Sequence, residues 1–129
     1  MNSDKYSELL NFKEIANSLH DAIFIASGEG VTLFVNEAYT RITGIKPEEI
    51  VGMKVQDFEG EYFENSVTPK VLKYKKPINS IGKSLKTNKE FLVSGIPIFD
   101  ERGEIKLVVV NDRELGELNK IQNELDKTK

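Results

Sequence analysis

Residues 21–52, DAIFIASGEGVTLFVNEAYTRITGIKPEEIVG, constrain the fold more than any other stretch of the chain. Residues 22–26 form an apolar run of strand length, rich in β-branched and aromatic side chains. Ser27-Gly28-Glu29-Gly30 follows as a tight turn, because glycine accepts the positive φ that such a hairpin demands. Residues 31–35 are a second apolar run of the same length, so the two read as an antiparallel pair. Asn36 ends that strand and can cap a helix by accepting an amide hydrogen of its first turn. The helix itself, residues 37–43, carries Ala38, Tyr39 and Ile42 on one side and stops at Gly44. A further short helix opens with Pro47 at its first position and Glu48 and Glu49 on the positive end of its dipole. It buries Ile50 and ends at Gly52.

In this order and spacing, Phe34-Val35-Asn36-Glu37-Ala38-Tyr39, Ile42-Thr43-Gly44 and Pro47-Glu48-Glu49-Ile50-Val51-Gly52 resemble the first half of a PAS domain. The resemblance implies an α+β fold. Its expected form is a PAS-like five-stranded antiparallel sheet, order 2-1-5-4-3, with short helices over one face and helices at both termini.

The remaining chain fits that frame. Residues 3–19 carry Leu9, Phe12, Ala16 and Leu19 at helical spacing, widened by Tyr6 and Ile15, with Ser3 or Asp4 as candidate caps. Such a helix is unstable alone and must lie on the sheet or on a second copy of the chain. Residues 53–58 read as an irregular turn that delivers Met53 and Phe58 to the core. Residues 61–75 read as a longer helix, restarted near Pro69, with Phe63, Val67, Val71 and Leu72 on one face. Three strands follow: 78–85 with Gly82 as a bulge or kink, 91–99 with Pro97 at an interruption or an open edge, and 105–110. The last is continuously apolar, which predicts a central position. The tail, 115–129, places Leu118, Ile121 and Leu125 at the spacing of a two-helix seam. The organisation expected is a helix over 1–19, a core over 20–114 and a linker helix over 115–129.

A chain of 129 residues suits one hydrophobic core. Its net charge of −3 gives no basic face for nucleic acid, and Lys70, Lys73, Lys75 and Lys76 read as a solvated helix surface. With no cysteine, disulfides, thiolate nucleophiles and thiolate metal sites are all excluded. His20 is the single histidine, and reads either as a pH-sensitive contact or as a solvated turn residue. No phosphate-cradling glycine motif and no nucleophile–base pattern is present, so neither catalytic residues nor a metal site are expected. No apolar run reaches bilayer-spanning length and the N-terminus does not resemble a signal peptide, so the expected location is cytoplasmic.

An interior between sheet and helices is expected to be lined by Phe24, Ala26, Phe34, Asn36, Tyr39, Ile42, Met53, Val71, Val93, Val108 and Val110. It could be a filled core, or a mostly apolar cavity for a small organic ligand. Flavin-binding photosensors of the family carry a cysteine after the matching glycine, where this chain has Met53-Lys54-Val55-Gln56-Asp57-Phe58. Haem-binding relatives supply a histidine from the helix at 61–75, and none is present here. No cofactor is therefore expected. The family implies a homodimer whose contacts involve Leu9, Phe12, Ala16, Leu19, Leu118, Ile121 and Leu125. The stretch from Val109 to Asn119 is similar to the junction of sensory PAS domains in σ54-dependent activators. That similarity implies an output domain in cis and a role in transcription regulation, although histidine kinases and cyclic-dinucleotide enzymes use comparable junctions; a ligand-free homodimerisation module is the alternative.

Overall fold

The computed structural model describes residues 11–116 and, within the tail, residues 122, 124 and 125. The strands are β1 (Ala22–Ser27), β2 (Thr32–Val35), β3 (Phe63–Glu64), β4 (Ile78–Ser84), β5 (Glu90–Phe99) and β6 (Ile105–Glu114). They form one antiparallel sheet in the order β2-β1-β6-β5-β4-β3. The helices are α1 (Phe12–Asn17), α2 (Glu37–Thr43), α3 (Pro47–Ile50), α4 (Val55–Phe58) and α5 (Thr68–Tyr74). No described helix is long and apolar enough to cross a membrane.

Five of the strands take the expected order, and β3 is an addition at the edge. Residues 61–67 are therefore not helical, and α5 begins only at Thr68. The reason is Phe63, whose ring lies on Gly82 of β4 and stacks on Phe91 at 6.2 Å. A Cβ at position 82 would come within 2.5 Å of the Phe63 ring. Gly82 is thus no bulge: the β4–β5 register runs unbroken past it, and the glycine makes room for an aromatic ring. Gly95 does the same for α5, because a Cβ there would sit 2.8 Å and 2.9 Å from methyls of Val67 and Val71. Gly95→Ala is expected to cost about 1–3 kcal/mol through overpacking, read as a lower urea midpoint with unchanged slope. Pro97 lies beyond Gly95, the last β5 residue paired with β4, so its missing donor falls where that edge is open.

β6 lies between β1 and β5, as its apolar sequence predicts, but it runs past Val110 to Glu114. Asn111 to Glu114 stay in the sheet because β5 pairs with all of them and β1 reaches as far as Asp112. One face of the sheet holds Ala22, Phe24, Ala26, Val93, Val108 and Val110, packed with Tyr39, Ile45, Ile50, Val55, Phe58, Val67 and Val71 into the core. Residues 3–10 of the expected N-terminal helix lie outside the described residues, and over the rest the helix is α1. It opens at Asn11, whose Oδ1 accepts the amides of Lys13 and Glu14, and it ends before Leu19. The Phe12 ring of α1 meets Phe34 edge-on at 5.0 Å. Phe34 pairs with Ile25, while its neighbour Val35 pairs with Phe24, so Phe34 points away from the core.

Candidate functional site: an interior cavity at Asp112

The alternation of β6 sends Val108, Val110 and Asp112 to the inner face. There the sheet, α2, α4 and the start of α5 leave a small cavity of about 20 Å³, room for about one water molecule. Phe24, Val93 and Val110 form its sheet side, and Tyr39, Val55, Phe58, Phe63 and Val67 most of the remainder. Ser66, Thr68 and Asp112 bring polar atoms to its wall. Ser66 is half-buried and marks the side nearest solvent.

The Asp112 carboxyl is the chemical centre of this space. It is fully buried, and its Oδ1 has no hydrogen-bond partner. Burial raises its pKa from the ordinary 3.8 to about 7, with no cation or hydrogen bond to offset the cost of removing the charge from water. The Tyr39 hydroxyl is also pushed well up, first by burial and then by the nearby Asp112 charge. The adjacent cations do not reach inside: Arg113 pairs with Asp21 at 3.1 Å, and Lys89 lies 3.5 Å from Glu114. No described cluster of three or more His, Cys, Asp or Glu could hold a metal ion.

The geometry matches a known pattern of sheet and short helices. Residues 10–113 match the family described as PAS fold. The chain belongs to this family. No curated protein matches it. Among solved structures, the PAS domain is similar to an RNA-binding light-oxygen-voltage receptor, with TM-score 0.71 and 13% identity, covering 95% of this chain and 38% of that one. The PAS domain of BvgS from Bordetella pertussis superposes with TM-score 0.56 at 17% identity, over 93% of this chain and 98% of that domain. A PAS-B domain of Cycle from Drosophila melanogaster, with bound ethylene glycol, gives TM-score 0.55 at 20% identity, over 73% and 99% of the two chains. These likenesses establish the fold; the chain spans little more than a third of the receptor's length.

Of the residues expected at the interior, Phe24, Tyr39, Val93 and Val110 line the cavity of this PAS domain. Ala26, Val71 and Val108 are fully buried in the surrounding core without reaching it, and Ile42 and Met53 pack at the core margin. Phe34 is on the opposite face of the sheet, against α1. Asn36 is a structural tie: its Oδ1 accepts the Tyr39 amide that caps α2 and the Ile23 amide, both at 2.9 Å. Its Nδ2 donates to the carbonyls of Ala16 at 2.8 Å and Asp21 at 3.1 Å. Sequence reading missed Asp112 because it ended the strand at Val110. Extending the inner-face series Val108, Val110 by two residues would have placed a carboxyl on the cavity wall.

For the residues expected at a dimer contact, Ala16 is buried under the Asn36 tie, while Phe12 and Leu19 are about half exposed. Leu125 is exposed, and Leu9, Leu118 and Ile121 lie outside the described residues.

Proposed function

We propose that the chain is a sensory PAS module in which occupancy of the interior biases the core and β6 carries that bias outward. The observation behind this reading is the double role of one strand. β6 contributes Val110 and Asp112 to the cavity wall, and its last residue, Glu114, leads directly into helical residues 115 and 116. A displacement at the cavity therefore reaches the start of the tail within a few residues. The PAS fold is a sensory fold, which supports sensing as the reading. On this reading the tail delivers the signal to an output domain in cis, with transcription regulation as the context the junction sequence favours. Val67→Ile adds one methyl to the cavity from the α5 side, remote from β6 in sequence. Amide shifts in its NMR spectrum are expected to run along β6 to Leu115 and Gly116; shifts confined to the α5 side would refute the relay.

The small cavity and the outer face of the sheet favour a second reading, a ligand-free dimerisation module. Besides Phe12 and Ile15 of α1, β5 exposes Leu92, Ile96 and Ile98, apolar side chains that a second copy would cover. Light scattering at micromolar concentration is expected to give twice the chain mass, and Ile96→Glu combined with Ile98→Glu the single mass. A monomer at every accessible concentration would exclude this dimer.

A further inference from the structure

Among the described residues Asp112 is the only fully buried carboxyl, and nothing in the fold uses it. Ala22 and Val93 stand opposite it on the flanking strands. Across the cavity, α2 presents Tyr39, α4 presents Val55 and Phe58, and the start of α5 presents Val67 and Thr68. Tyr39 is the only other ionisable group in this wall, and it carries no positive charge. Arg113, next in sequence, is paired with Asp21, and Lys89 with Glu114.

We propose that the cavity takes the cationic head of a small primary amine, with its N–H donors turned to Asp112 Oδ1 and its short apolar body toward Ser66. This names the ligand class for the sensory reading and rests on it. Three observations converge. The buried Oδ1 lacks a donor, whereas buried polar atoms in native interiors are almost always paired. The wall supplies no cation, so an ionised Asp112 has no countercharge within it. The space holds one group of water size, which an ammonium fills and a carboxylate or an aromatic ring exceeds. An anionic ligand would meet Asp112 as a like charge.

The test is a thermal-shift series at pH 8 and constant ionic strength with ammonium, methylamine and ethylamine. Methanol, ethanol, acetate and propionate serve as size-matched comparators. Methyl NMR of Val67, Val93 and Val110 locates any binding, and Asp112→Asn is run in parallel after its spectrum shows a folded domain. The amines are expected to raise the Tm by about 5 °C at ten times Kd. They should shift those methyls and lose at least about tenfold in affinity in Asp112→Asn. Equal amine binding by the variant, or binding that leaves the three methyls unmoved, would overturn the proposal. Alcohols or carboxylates binding where amines do not would reject the amine class and leave the sensory reading standing. If no probe moves the methyls and native mass spectrometry of freshly purified protein gives only the bare chain, both fall.

Discussion

Replacing Asn36 by alanine is expected to lower the free energy of unfolding by about 4 kcal/mol. The side chain is buried and makes four hydrogen bonds, to Ile23, Tyr39, Ala16 and Asp21. Truncation removes the cap of α2, strands the Ile23 amide away from water and takes one of its donors from the Ala16 carbonyl. Each such loss costs about 1–3 kcal/mol, far more than the net worth of an exposed hydrogen bond. The effect should also be local. Because Nδ2 holds the end of α1 through Ala16, amide exchange in α1 is expected to accelerate beyond what the global loss explains. Asn36→Asp keeps both acceptor contacts and loses both donor contacts, so it should free α1 while retaining the α2 cap. A urea midpoint within error of the parent for Asn36→Ala would show that the four bonds are not a structural tie.

The second large effect is a stability that falls as pH rises. Asp112 titrates near its ordinary 3.8 in the unfolded chain and at about 7 in the fold. Between those values the folded state holds the extra proton, so raising the pH favours unfolding. The contribution of the neutral carboxyl is complete below about pH 4 and lost as pH passes about 7, a span of roughly 4 kcal/mol. Glu49 works in the opposite sense. Its hydrogen bond to Lys86, and then the one it accepts from the Lys46 amide, hold its pKa below the usual carboxylate value, so its stabilisation fades as pH falls. Subtracting the Asp112→Asn profile from that of the parent isolates the one group. At pH 8 the variant is expected to be more stable by about 2–4 kcal/mol, and at pH 4 to have no advantage. Parallel profiles would mean that Asp112 is solvated or paired.

The contrast between these two residues shows what the sequence made legible. Asn36 stands between a strand and a helix, and its capping role follows from that position alone; its reach to Ala16 and Asp21 depends on where α1 lies and could not be seen. Asp112 was hidden by its polar neighbours, since Asn111-Asp112-Arg113-Glu114 reads as the end of a strand. Pairing with β5, and with β1 as far as Asp112, holds these residues in the sheet. The spacing of Phe63 to Val67 and Val71 is helical, yet the space above Gly82 draws its ring onto β4. Periodicity identified the elements wherever local pattern and tertiary packing agree. It failed where a glycine or a neighbouring strand supplied the deciding contact. The hairpin, α2, α3 and the central place of the last strand were all readable from residue type and spacing.

The place of β6 also governs how the chain can fold. The sheet closes only when its last strand inserts between the first and the fifth, with Ala22 opposite Asp112 and Phe91 opposite Glu114. The first of these pairings joins residues separated by most of the domain, a loop whose entropy must be overcome before any contact rewards it. The hairpin of β1 and β2 can form early, but until β6 arrives its Ala22–Ser27 edge is an open row of donors and acceptors. During synthesis that edge emerges long before its partner strand, so nascent chains carry an unpaired, apolar strand until the last strand of the domain is made. A chain that stops short of β6 should therefore be a substrate for chaperones and proteases rather than a smaller sensor.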